Sequence, residues 1–81
     1  MHFIYKEIKT NYIKARLIYG TETIFKEYGK IRNIATQKRK SIETVLLEKI
    51  TTEHNTLSKE ELYLLGGILY IHTLYGEKEE L

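Results

Sequence analysis

The chain has 81 residues, of which 42% are hydrophobic and 30% are charged, and its formal net charge at pH 7 is +2. This length predicts one domain, residues 1–81, and the hydrophobic content is enough for a core, which excludes wholesale disorder. The absence of cysteine excludes disulfides, cysteine nucleophiles and thiolate metal sites. A domain of this size buries only about 60–65% of its unfolded surface, which favours oligomerisation.

Charge is divided unevenly along the chain. Residues 1–50 contain eleven Lys or Arg against five Glu, whereas residues 51–81 contain two Lys against six Glu. We therefore expect a basic body followed by a short acidic C-terminal tail, residues 77–81. The basic half is either an electrostatic patch for nucleic acid or another anionic partner, or an ordinary solvated helix surface.

Composition also bears on location and origin. The N-terminus is charged from Lys6 and Glu7 and shows no secretory signal, and the apolar segment 62–75 is too short for a membrane span. We therefore expect a cytoplasmic protein without a membrane span. Eleven Ile, ten Lys and seven Tyr against two Ala and no Pro are typical of AT-rich coding, which predicts a virus, phage or plasmid as the source and the host cytoplasm as the location if it is viral.

The first predicted helix spans residues 3–19. Its apolar positions recur at alternating intervals of three and four residues, as in a heptad stripe: Tyr5, Ile8, Tyr12, Ala15 and Tyr19. Gly20 then supplies a residue that accepts the left-handed conformation common at helix ends. The sequence therefore predicts that three tyrosines share the buried edge of this helix.

The second predicted helix spans residues 22–52 and contains an interruption. Its apolar stripe runs through Ile24, Tyr28, Ile31 and Ala35 and resumes at Ile42, so the next core position falls on Lys38. Lys38 could mark a partner surface, a loop between two shorter helices, or a lysine with a buried stem. Because residues 36–41 contain neither Gly nor Pro, the sequence favours one continuous helix.

The third predicted helix spans residues 59–75 and begins with a capping box. The Ser58 hydroxyl can accept from the Glu61 amide while the Glu61 carboxylate reaches back to the Ser58 amide. Gly66 and Gly67 lie in its middle, where they either permit close approach of another helix or introduce a kink. The whole pattern predicts an all-α fold, a small helical bundle of three helices.

The last helix is apolar over most of its circumference. Only two other helices are predicted to cover it, so a second subunit would bury the remainder. We therefore predict a homo-oligomer, in the simplest case a dimer, with an interface formed by Leu62, Leu65, Ile68, Leu69 and His72.

The sequence offers no set of residues for catalysis or metal binding. His2, His54 and His72 do not occur at ligand spacing, and the chain has no aspartate and no Gly-x-Ser-x-Gly motif. Phosphate-binding loops of the Gly-x-x-x-x-Gly-Lys type are also absent. We therefore expect a protein that is not an enzyme and has no metal site and no cofactor.

One helix face points to a regulatory, nucleic-acid-binding protein. Lys and Arg neutralise phosphates, and Asn and Gln can read adenine edges in a major groove. The predicted contact residues lie along the second helix and its flank: Lys26, Lys30, Arg32, Asn33, Gln37, Lys38, Arg39 and Lys40. The alternative is a modulator of a host or cognate protein, of the inhibitor, immunity or adaptor type, which binds no nucleic acid.

Overall fold

The computed structural model describes residues 2–53 and 55–76, with side chains from residue 6 to residue 75 except His54. Predictions for the side chains of His2 and Tyr5, for His54 and for the acidic tail 77–81 lie outside this part of the chain. The described residues form four α-helices: α1 His2–Tyr19, α2 Thr21–Lys38, α3 Ile42–Glu53 and α4 Lys59–Ile71. A π-helical turn, His72–Gly76, extends α4. The all-α prediction is confirmed, and the count of three helices is wrong.

The predicted second helix is divided because the chain turns at Arg39. Arg39 adopts the left-handed conformation, φ 56° and ψ 44°. Its amide donates to the Thr36 carbonyl at 3.2 Å, and the Lys40 amide donates to the Ala35 carbonyl at 2.9 Å. These two bonds form a Schellman motif, which closes α2. The Ser41 hydroxyl then accepts from the Thr44 amide at 3.0 Å and caps the start of α3.

Replacing Arg39 with glycine is expected to stabilise the fold. A left-handed conformation costs a non-glycine residue roughly 1–2 kcal/mol, whereas glycine adopts it freely. We expect Arg39→Gly to raise the free energy of unfolding by about 1 kcal/mol, measured by urea denaturation. Lys38→Gly, one position earlier within α2, should instead lower it by about 1 kcal/mol. A loss of stability in Arg39→Gly would mean that α2 continues through residue 39.

The core contains the stripe that the sequence predicts in α2, and parts of the predicted stripes in α1 and α3. In α2 the buried residues are Ile24, Tyr28, Ile31 and Ala35. Ile8 and Ala15 of α1 are also buried, and Tyr12 and Tyr19 pack partly against the core. The α3 contribution comes from Val45 and Leu46. Dividing the second helix at Arg39 therefore preserves both halves of its apolar stripe.

Helices α1 and α4 pack together closely and antiparallel. The Tyr12 and Tyr70 rings lie 5.0 Å apart, and a Cβ atom added at Gly67 would lie 3.3 Å from the Tyr12 Cα atom. Helix α4 runs unbroken through Gly66 and Gly67. The close-approach interpretation of the glycine pair is therefore confirmed, and the helix does not break there.

The two predicted helix boundaries at Gly20 and Ser58 are also confirmed. Gly20 has φ 87° and ψ 155°, so its φ is positive as predicted, but its ψ lies outside the left-handed helical region; residues with a Cβ atom rarely adopt this combination. At Ser58, the hydroxyl accepts from the Glu61 amide at 3.1 Å, and the Ser58 amide donates to the Glu61 carboxylate at 3.0 Å. This reciprocal pair fixes where α4 begins.

Candidate nucleic-acid interface

The outer face of α2 is polar and exposed along its whole length. Because the buried stripe of α2 occupies one side of the helix, residues offset by half a turn face solvent. Lys26, Lys30, Asn33 and Gln37 lie on this outer side, and Arg32 lies on its flank; all five are exposed. The structure therefore brings four of the predicted contact residues of α2 onto one accessible face, over about 17 Å of the helix, with Arg32 on its flank.

The corner between α2 and α3 adds three more cations. Lys38, Arg39 and Lys40 are all exposed, and none of them lies in the core. Lys38 occupies the last position of α2, so the stripe ends before it would require a buried lysine. We define the basic surface as the outer face and flank of α2 together with this corner: Lys26, Lys30, Arg32, Asn33, Gln37, Lys38, Arg39 and Lys40.

The basic surface has an excess of positive charge. Residues 21–40 contain six Lys or Arg against two Glu. Lys30 pairs with Glu27 at 3.1 Å, although its side chain remains 60% exposed. Lys40 pairs with Glu48 at 2.6 Å, and this pair is also open to solvent. Exposed ion pairs contribute little to stability, so both ammonium groups remain available to an anionic ligand.

The Lys40–Glu48 pair affects the titration of Glu48. The hydrogen bond from Lys40, followed by the charges of Lys40 and Lys38, lowers the pKa of the Glu48 carboxyl below its ordinary value. Any stability from this pair is therefore fully present at pH values above the ordinary pKa of a glutamate carboxyl, and it is lost as the pH falls through the lowered pKa.

Removing Lys40 is expected to raise the pKa of Glu48 towards its ordinary value. Lys40→Gln takes away the charged hydrogen-bond donor, and an NMR pH titration of the Glu48 carboxyl would measure the change. Lys38→Gln serves as the control and should have a smaller effect, because Lys38 acts only through its charge. An unchanged pKa in Lys40→Gln would show that the pair does not form.

Most of the predicted dimer interface is buried within the single chain. Leu65, Ile68 and His72 are 4%, 1% and 8% exposed, and Leu69 packs partly against the same core. Only Leu62, at 39% exposure, offers an open side chain. The three-helix prediction left too few helices to bury the apolar side chains of α4, because it did not include α3 as a separate helix. Dimerisation stays a prediction, and Leu65, Ile68 and His72 do not present a surface to a second subunit.

A set of polar contacts around the buried His72 was not foreseen from the sequence. The Tyr28 hydroxyl lies 3.3 Å from His72 Nδ1, and His72 Nε2 lies 3.3 Å from the Glu43 carboxylate. His72 therefore lies between a hydroxyl group and a carboxylate, one at each of its ring nitrogens. These two contacts connect α2 and α3 to the π-helical turn. Tyr28 and His72 are 44 residues apart, so no local spacing could have revealed their contact.

A cavity of about 300 Å³ opens between α2 and α4. Ile31, Ile34 and Leu64 contribute to its apolar wall, and Lys30 and Glu61 contribute to its charged rim. Ile34 is 38% exposed. The cavity adjoins one flank of α2 and shares Lys30 with the basic surface.

The described residues contain no group of three or more His, Cys, Asp or Glu placed to hold a metal ion. Likewise, no helix in this part of the chain is long and apolar enough to cross a membrane. Comparisons with protein-family models, with curated proteins and with solved structures find no match to the chain. The residues and their geometry therefore have to support any functional assignment.

Proposed function

We propose that the protein is a non-catalytic regulatory protein that binds nucleic acid through its basic surface. The observation that carries the proposal is the arrangement of exposed cations along the outer face of α2 and around the corner that follows it. Lys and Arg on one accessible face can neutralise successive phosphates and release their counterions.

The two amide side chains give the surface a means of reading bases. Asn33 and Gln37 are one helical turn apart and exposed, with Lys26 and Lys30 on one side and the corner cations on the other. An α-helix fits the major groove, where Asn and Gln can pair with adenine edges. In this arrangement the cations fix the helix against phosphates, and the amides face the bases.

The cavity beside Ile34 favours a second candidate function. Its apolar wall and charged rim resemble a site that accepts an apolar side chain of another protein. A protein modulator acting there would bind with little dependence on salt. Nucleic-acid binding through phosphates depends strongly on salt, so salt dependence separates the two functions.

Replacing two cations of the basic surface tests the proposal. Lys26→Gln combined with Arg39→Gln should weaken binding to a mixed-sequence DNA duplex and make the slope of log K against log salt shallower by about two, because each lost contact releases close to one counterion fewer. Fluorescence anisotropy over a salt series would measure both quantities.

The matched control removes two cations from α1 and α4, Lys9→Gln with Lys59→Gln, which lie outside the basic surface. This control has the same net charge as the test variant. Equal weakening by both variants would mean that binding follows the net charge alone, and the basic surface would not be the contact site.

A further inference from the structure

The outer face of α1 combines exposed apolar side chains with cations. Ile13 is 42% exposed and Leu17 is 81% exposed, and they are one helical turn apart. They lie on the side of α1 opposite the buried Ile8 and Ala15. The Leu17 side chain buries little of its surface within its own chain, so its apolar surface is accessible to a partner.

Cations surround this apolar pair. The described part of α1 contains one acidic residue, Glu7, and four exposed basic residues: Lys6, Lys9, Lys14 and Arg16. Helical geometry places Lys9 and Arg16 on one side of the Ile13–Leu17 line and Lys14 on the other. The Lys14 ammonium lies 4.9 Å from the centre of the Tyr63 ring, and the Arg16 guanidinium lies 5.8 Å from that of Tyr12. We define the α1 surface as the two apolar residues and the four cations of this helix: Lys6, Lys9, Ile13, Lys14, Arg16 and Leu17.

The charge of the α1 surface argues against a second copy of the chain as its partner. A two-fold interface brings the same patch of both copies together. Four cations and one carboxylate on each copy would then face an identical set, and like charges repel. The partner must instead be anionic around its rim and apolar at its centre.

Two anionic partners fit less well. Nucleic acid would pair with the cations but would leave Ile13 and Leu17 against a charged backbone. An amphipathic helix bound in a protein groove uses apolar anchors over two or more turns. On the solvent side of α1, the residues that precede Ile13 and Leu17 are Lys6 and Thr10, which are polar. The apolar part of this side therefore covers a single turn.

We propose that the α1 surface binds an anionic lipid membrane, with Leu17 and Ile13 at the acyl boundary and the flanking cations at the phosphate headgroups. Lys and Arg stems can lie along the apolar boundary while their charges stay in water. Such a helix lies in the plane of the interface and does not span it. The proposal does not depend on nucleic-acid binding, because it uses a different helix.

Sedimentation with lipid vesicles tests the proposal. The full chain should bind vesicles that contain about one third phosphatidylglycerol in phosphatidylcholine and should bind pure phosphatidylcholine at least tenfold more weakly. Lys6→Gln with Lys9→Gln should lower the partition coefficient about 25-fold, since each cation near an anionic surface contributes a factor of about five. Leu17→Ser should lower it severalfold with the charge unchanged.

Two controls locate the contact. Leu47→Ser changes a leucine of α3 that is 63% exposed and should leave vesicle binding unchanged. Lys26→Gln with Lys38→Gln removes two cations from the basic surface of α2 and should reduce vesicle binding less than the α1 pair does. The same α2 variant should weaken DNA binding, whereas the α1 variant should weaken it much less.

Several results would overturn the proposal. One is the absence of binding to anionic vesicles at about 1 mM lipid, where even a single myristoyl anchor binds measurably. Another is equal loss in Leu17→Ser and Leu47→Ser, and a third is a larger loss in the α2 variant than in the α1 variant. DNA binding that fails while vesicle binding survives would contradict the proposed function alone.

Discussion

Leu46→Ala is expected to lower the free energy of unfolding by about 2–5 kcal/mol. The Leu46 side chain is 1% exposed and is among the largest fully buried side chains in the described residues. Truncation removes its apolar contacts and leaves a cavity among the surrounding helices, and the two costs add. In a domain of this size, each 1 kcal/mol lowers the melting temperature by roughly 4–8 °C, so calorimetry would detect the change easily.

The adjacent leucine provides the control. Leu47 is 63% exposed in the same helix, so Leu47→Ala has the same chemistry and nearly the same position in the chain. A surface change of this kind should alter stability by about 0.5 kcal/mol or less. Similar losses from both variants would show that α3 packs in a different rotation.

Gly66→Ala is expected to destabilise the protein by at least about 1 kcal/mol, although alanine is the better helix former. A Cβ atom at Gly66 would lie 2.7 Å from the Asn11 Cβ atom and 2.9 Å from its Cγ atom. These atoms belong to the base of the Asn11 side chain, so relief requires α1 and α4 to move apart. Urea denaturation would measure the loss.

Gly29→Ala is the matched control, with the opposite expected sign. Apart from the nearby backbone of α2 itself, nothing lies within 4 Å of a Cβ atom built at Gly29, so the substitution should stabilise α2 by about 1 kcal/mol. In a double-mutant cycle, Asn11→Gly should cost less in the Gly66→Ala background than alone, because it removes the clashing Cβ atom. Stabilisation by Gly66→Ala would contradict the close packing of α1 on α4.

Local periodicity was sufficient to predict most of the core. The intervals between Ile24, Tyr28, Ile31 and Ala35 identify one face of a helix without knowledge of what packs on it. All four are buried. Residues with strong backbone preferences were equally informative. The end of α1 at Gly20 and the start of α4 at Ser58 depend on interactions within a few residues, and such interactions can be recognised in a single sequence.

The turn at Arg39 could not be predicted in the same way. Gln, Lys and Arg are good helix formers, and a left-handed residue that is not glycine has no strong sequence signal. The turn is stable because α3 folds back and buries Val45 and Leu46, which is a tertiary effect. Without the turn at Arg39, the predicted bundle has one helix fewer, and Leu65 and Ile68 were therefore assigned to a subunit interface.

For the candidate site, the structure agrees with the sequence in the exposure of the residues but differs in their arrangement. Each of its eight residues is exposed, as a contact surface requires. The sequence placed Lys38, Arg39 and Lys40 along a continuous helix, whereas they form the corner between α2 and α3. The α1 surface was overlooked because the tyrosine stripe accounts for the same helix.

The salt dependence of DNA binding by the unmodified chain tests the central claim most directly. If about four to six cations of the basic surface contact phosphates, log K should fall against log salt with a slope of about −4 to −5. At roughly 50 mM salt the dissociation constant should be below about 100 μM. A slope near zero, or no binding at that concentration, would contradict the account and favour a partner protein at the Ile34 cavity.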